Sequence, residues 1–163
     1  MAEEKTVVKD KEEKVPKPKS TTYYGAVGRR KVASARVRLY VAGEAPVVIG
    51  SVEVSRGGMI VNSRQVENYF PGEVFKKMYL EPFRTTNTLG RFATSVRVEG
   101  GGLAGQLTAV IHGLSRALVK VDPEKFRPIL KKRGFLTRDP RAKQRRKAGF
   151  AGKSRARKQS PKR

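Results

Sequence analysis

The sequence contains no cysteine, a single histidine, and only 14 acidic side chains against 37 basic ones. Without cysteine there are no disulfides and no zinc knuckles, and one histidine leaves few ways to build a metal centre or a base-activated nucleophile. No metal site, no cofactor and no enzymatic activity are therefore expected. Long apolar runs are also missing: nothing approaches the ~18–20 residues of a membrane-spanning helix. The basic C-terminal segment lacks an apolar face that could lie in a membrane surface, so no membrane partner is expected. The N-terminal MAEEKTVVKDKEEKVPKPKS has no apolar stretch and is not a secretory signal, and its five acids argue against an organelle transit peptide. A cytoplasmic location follows as the expectation.

What the chain does have is positive charge, unevenly spread. Residues 131–163 hold fifteen Lys or Arg against one acid, Asp139, and so carry +14 of the total +23. Their large apolar residues are only Phe135, Leu136 and Phe150. Such a segment cannot recover its own ordering entropy by collapse, and needs a polyanion to lie against. Residues 1–19 balance six Lys with five acids, while residues 20–130 carry +8 and most of the apolar side chains. The organisation read from this is a disordered charged extension over 1–20, a globular nucleic-acid-binding domain over 21–134, and an extended basic tail over 135–163. A compact domain delivering a basic arm to nucleic acid is the natural reading.

Within the domain, Ala33, Ala35, Val37, Leu39 and Val41 alternate with polar residues, the period of a half-buried strand. Val47 to Val54 is a second β-rich run, Gly57-Gly58 a turn, and Met59 to Val61 a third run. Val66, Tyr69 and Phe70 suggest a helix stopped by Pro71, and Val74, Phe75, Met78 and Tyr79 another ended by Pro82. Phe92, Thr94, Val96 and Val98 restore alternation. Leu103, Leu107, Val110, Ile111, Leu114, Leu118 and Val121 then form one helical apolar stripe. Asp122-Pro123 reads as a cap and first helical position. Pro128 predicts a turn followed by a short helix from residue 127 or 128 to 133, closed by Gly134. The sum is an α+β two-layer domain, a small sheet of about four strands with helices on one face.

Three features invite a chemical reading. Gly100–Gly105, GGGLAG, fits the dinucleotide pattern between a strand and a helix, but the Rossmann unit requires a second parallel strand after that helix, and Asp122-Pro123 leads instead into more helix. A P-loop fails too, with Gln106-Leu107 where Lys and Ser/Thr are required. The glycines make either a plain tight turn or a seat for a backbone phosphate at a helix N-terminus. His112, Arg116 and Lys120 fall at successive i+4 steps, which fits a solvated face or a row tracking phosphates. Arg29, Arg30 and Lys31 cluster just before the first clear alternation, with Arg36 and Arg38 projecting from its polar face.

YYGAVGRRKVASARVRL (Tyr23 to Leu39), GGGLAGQLTAVIHGLSRAL (Gly100 to Leu118) and RPILKKRGFLTRDPR (Arg127 to Arg141) resemble, in order, three signature segments of the small-ribosomal-subunit protein nine family. The resemblance implies three strands, a helical segment, a strand and a helix in two layers, with a left-handed crossover against the usual rule. It implies a structural protein of the small-subunit head, with small-subunit ribosomal RNA, neighbouring head proteins and P-site transfer RNA as partners. It marks as RNA-facing Arg29, Arg30, Lys31, Arg36, His112 and Arg116 on the body. Lys131, Lys132, Arg138, Arg141, Arg145, Arg146, Lys147, Lys153, Arg155, Arg157 and Lys158 follow along the arm. Lys162 and Arg163 at the tip are implied to approach the transfer RNA.

The sequence departs from the family pattern in three places. It ends Gln159-Ser160-Pro161-Lys162-Arg163, without the aromatic residue usual near the tip. Gln144 stands where an acid is common. The stretch from Gly43 to Gly58 is longer than the usual connection and is expected to form an inserted β-hairpin. Two other classes stand as alternatives: a nucleotide-dependent enzyme using the Gly100–Gly105 loop, and a DNA-compacting basic protein, against which the ordered 103–121 stripe argues.

Overall fold

A computed structural model describes residues 22–41, 43, 46–49 and 52–146. The charged extension over 1–20 and the arm from Lys147 onward, including Lys153, Arg155, Arg157, Lys158, Lys162 and Arg163, lie outside the described residues. Strands β1 (Tyr23–Arg30) and β2 (Ala33–Val41) form an antiparallel hairpin around Lys31-Val32. A second hairpin joins β3 (Val47–Ile49) to β4 (Val52–Val54), and a third joins β5 (Met59–Val61) to β6 (Arg64–Gln65). Then come α1 (Val66–Tyr69), α2 (Glu73–Thr85), β7 (Phe92–Glu99), α3 (Leu103–Val121) and α4 (Pro123–Lys132).

The main sheet has five strands in the order β1-β2-β7-β5-β6, whereas the Val47 to Val54 run, expected as one of about four strands, folds on itself as the separate β3–β4 pair. Two of the five are not read from the periodicity: the two-residue β6, and β1, whose alternation is hidden by Gly25 and Gly28. All neighbours are antiparallel except β5 and β7, which run parallel and are linked through α1 and α2. The architecture is α+β, as expected. One face of the sheet buries Ala33, Ala35, Val37 and Leu39 of β2 and Val96 and Val98 of β7 against Leu107, Val110, Leu114 and Leu118 of α3. The apolar stripe is real but narrower than expected: Leu103 and Val121 at its ends are exposed and partly buried respectively, and Ile111 on its flank is only partly buried.

The inserted stretch does form a hairpin, and it covers the other face of the sheet. Val47 and Val54 bury themselves against Tyr40, Ile60 and Ala93, so this end is three layers deep. That cover inverts the last step of the β2 alternation: Tyr40 is buried, and Val41, expected inside, is exposed.

Two helices run past prolines expected to stop them. α2 continues through Pro82 to Thr85 because Pro82 and Phe83 are themselves buried, and Thr86 then ties the end down through its Oγ1 to the Pro82 carbonyl (2.9 Å). α4 starts at Pro123 with Asp122 as its cap, as the sequence predicts, the Asp122 side chain accepting from the Lys125 amide (3.1 Å), but it runs on through Pro128 without the turn expected there. Pro128 removes one backbone bond from this helix. Phe126 and Leu130, buried on either side of it, hold the helix together regardless. No helix among the described residues is long and apolar enough to cross a membrane.

Candidate nucleic-acid interface

The interface is built where the β1–β2 hairpin, α3 and the start of the arm meet. The chain does not come free of the body at Gly134. That glycine closes α4 with φ 75°, and Phe135 and Leu136 then pack onto the core. A little further on, Asp139 meets Arg30 at the end of β1 in an ion pair of 2.9 Å. The Arg30 guanidinium also donates to the carbonyls of Asp139 and Arg141. Arg141 grips the same carboxylate through its backbone amide (2.9 Å), Nε (3.0 Å) and Nη2 (2.8 Å). These hydrogen bonds, and the charge of both arginines, hold the Asp139 carboxyl well below the usual carboxylate range. Arg30 and Arg141, expected as RNA contacts, thus have an earlier role: they fix the base of the arm to the body.

The row His112, Arg116, Lys120 has an equally specific placement. Lys120 Nζ donates to the Gly25 carbonyl (2.6 Å), Arg116 Nη1 donates to the Val27 carbonyl, and the Arg29 amide donates to His112 Nδ1 (3.3 Å). The match follows from helix and strand geometry. Four helix residues rise about 6 Å, and two strand residues span about 6.6 Å. Every fourth residue of α3 therefore meets every second residue of β1, where the backbone groups of an edge strand point outward. In the free protein these side chains cover the open edge of the sheet.

His112 lies in a cavity of about 480 Å³ lined by Val27, Arg29, Arg116, Leu136 and Arg138. Burial, and then the neighbouring charges of Arg116 and Arg138, push its pKa below the ordinary value. At the start of the same helix, Gly100 and Gly101 adopt φ 72° and 66°, and the loop rests on the β1–β2 turn: a Cβ on Gly100 would come within 2.8 Å of the Val32 carbonyl oxygen. Gly102, the cap of α3, is extended and brings no side chain to the free amides. A cavity of about 420 Å³ lies at this helix start, with Arg30 and Lys31 on its rim. Gln106, standing where a P-loop requires lysine, staples the loop by donating to the Gly100 carbonyl (3.0 Å) and accepting from the Tyr69 hydroxyl (2.9 Å).

The chain matches the Ribosomal protein S9/S16 family over residues 28–163. It is 45% identical over 127 residues to small ribosomal subunit protein uS9 of Maridesulfovibrio salexigens, covering 78% of this chain and 87% of that protein. The chain belongs to the S9 family.

On this S9-family body the sequence-derived candidates fall into groups. Arg29, His112, Arg116 and Arg138 converge on one cavity. Lys31 is exposed at the hairpin turn, in the left-handed region at φ 53°. Lys131 and Lys132 are exposed in the last turn of α4, and Arg145 and Arg146 lie exposed on the extended chain beyond Arg141. Arg36 points to the opposite face of the sheet, into a groove it shares with Arg38, Arg97 and Asn62 beside the β3–β4 hairpin. Arg97 is a member of this group that sequence reasoning misses. Its signal lies only in the register, which places it directly across from Arg36. The Gly100–Gly105 loop lacks the rest of a Rossmann site, because α3 leads into α4 and not into a second parallel strand.

Proposed function

We propose that this protein is a structural constituent of the small ribosomal subunit, in its head. It binds ribosomal RNA through the cationic end of its body and through its basic arm, and places Lys162 and Arg163 against P-site transfer RNA. Membership of the S9 family, which is not an enzyme class, supports the first part. The observation that carries the RNA-binding part is the Arg30–Asp139 clamp. It anchors the arm beside Arg29, Lys31 and Arg116, so body and arm present one basic surface. The nucleotide-dependent enzyme has no comparable support, and the ordered core argues against the DNA-compacting reading.

The arm suits passage between RNA helices, where a folded domain could not fit. Each Lys or Arg there displaces counterions and gives salt-dependent, largely sequence-independent affinity. The uncapped start of α3 beside Lys31 is a suitable seat for a backbone phosphate. The β3–β4 hairpin and residues 1–20 are the places for contacts peculiar to this protein. The ribosome also sets the cytoplasmic location of the chain.

Sedimentation of a cell extract through a high-salt gradient, with and without ribonuclease, tests the assignment. Co-migration with small subunits that survives salt and is lost after ribonuclease is expected; release by salt alone overturns it. Deleting Lys162 and Arg163 is expected to weaken P-site transfer RNA binding while subunits still assemble. Unchanged binding would remove the tip role.

A further inference from the structure

The cavity around His112 is formed by three separate parts of the chain. Val27 and Arg29 come from the edge strand β1, His112 and Arg116 from the middle of α3, and Leu136 and Arg138 from the start of the arm. Three guanidinium-bearing residues line it and no acid does. Asp139, the neighbouring acid, is already engaged by Arg30 and Arg141. Arg116 is held by the Val27 carbonyl, while Arg29 and Arg138 form no ion pair among the described residues. Gathering like charges in one recess is unfavourable in the free protein and is relieved by an anion. The volume of about 480 Å³ is many times the ~30 Å³ share of a water molecule. The recess opens to solvent, and Val27 and Leu136 give it an apolar wall beside the cations.

We propose that this cavity seats one sugar–phosphate unit of an RNA backbone. Arg29 and Arg138 grip the phosphate from opposite sides, and the sugar lies against Val27 and Leu136. Because Arg29 belongs to the body and Arg138 to the arm, the same phosphate ties the two together and completes the clamp begun by Arg30 and Asp139. This proposal rests on the RNA-binding reading above and names one seat within it.

His112 is a built-in reporter of occupancy, because it is the only histidine in the chain. Its Nδ1 accepts from the Arg29 amide, and burial and the surrounding cations lower its pKa, so the free protein favours the neutral imidazole. The charged groups that face it are Arg29 from β1, Arg116 from α3 and Arg138 from the arm, all positive, and the Leu136 backbone also contacts the ring. A phosphate in their midst supplies the missing negative charge and favours the imidazolium.

An NMR pH titration of the single imidazole resonance in the full chain tests this, with chloride alone, with inorganic phosphate at matched ionic strength, and with a short single-stranded RNA. RNA is expected to raise the His112 pKa by about one unit or more. The rise is expected to vanish in an Arg29→Met/Arg138→Met variant, whose RNA affinity should also show a salt slope smaller by about one to two charges. RNA binding that leaves His112 unmoved, or a rise that survives in the double variant, overturns the cavity and leaves the RNA-binding reading standing. A shift produced by inorganic phosphate but not by RNA overturns the RNA source in favour of a free oxyanion. Failure of the full chain to bind RNA at all overturns the RNA-binding reading and this seat with it.

Discussion

Gly28 in β1 and Gly113 in α3 lie backbone against backbone. A Cβ on Gly28 would overlap the Ala109 carbonyl oxygen and the Gly113 amide, and one on Gly113 would meet Val37 Cγ2 at 2.7 Å and the Gly28 nitrogen at 3.2 Å. This contact sets how near the helix comes to the sheet, and so lets Arg116 and Lys120 reach the β1 carbonyls. Alanine normally improves on glycine in helices and strands by about 0.5–1 kcal/mol. Here the sign reverses. Gly28→Ala should destabilise by about 3 kcal/mol, because only backbone stands in its way, and Gly113→Ala by about 1–3 kcal/mol, because Val37 can give. Denaturant unfolding measures both, and a stabilising Gly28→Ala would refute the close approach.

Asp139 is the only acid in a stretch of fifteen cations, and it holds the arm base. Asp139→Asn and Arg30→Met should each speed tryptic cleavage after Arg138 in the free protein. Equal rates in wild type and variants would show that the clamp does not restrain the arm. The pH dependence has a definite sign. A carboxyl whose folded pKa lies below its ordinary value of 3.8 anchors fully above that value. The anchoring is lost as pH falls below it, through the depressed folded pKa. Cleavage by an acid-active protease should therefore begin to rise only below about pH 4.

Arg116 and Lys120 shield the open edge of β1. Arg116→Met/Lys120→Met should cost about 1 kcal/mol per lost hydrogen bond. The larger expected effect is self-association, because a bare edge strand is a template for pairing with a second copy. Light scattering of the free protein would detect it. A variant that stays monomeric at high concentration would return both side chains to the role of simple surface cations.

Asn62 extends the β5 pairing with a side chain in place of a peptide group. Its amide donates to the Val98 carbonyl (3.0 Å) and accepts from the Val98 amide (2.9 Å), while its backbone sits at φ 47°. Asn62→Ala should cost about 2–3 kcal/mol, from two hydrogen bonds and a left-handed conformation that alanine dislikes. Asn62→Asp keeps the acceptor alone and should fall between. Thermal unfolding would rank the three proteins.

The legible parts of the sequence are those in which one face of one element does one thing. The Leu107–Leu118 stripe, the alternation from Ala33 to Leu39, and the inserted hairpin are all of this kind. β1 is not, because two of its eight positions are glycines whose value is the absence of a side chain, and such positions carry no hydropathy signal. Pro82 and Pro128 mislead for a related reason: local propensity favours a break, and burial of Phe83, Phe126 and Leu130 overrides it. The candidate site is legible as a group of cations but not as a division of labour. Nothing local distinguishes Arg30, a clamp, from Arg29, which lines a cavity. Only the pairing of residues 109 apart separates them.

The closeness of Gly28 to Gly113 also has a consequence in time. The first hairpin to leave the synthesising ribosome exposes Ala33, Ala35, Val37 and Leu39 with nothing to cover them until residues 103–121 have followed. Native contacts of such long sequence separation form late, and an unpaired edge meanwhile invites aggregation. The body therefore closes only once α3 has been made, ahead of the cationic arm, so a nascent chain holds its first hairpin uncovered until that helix arrives.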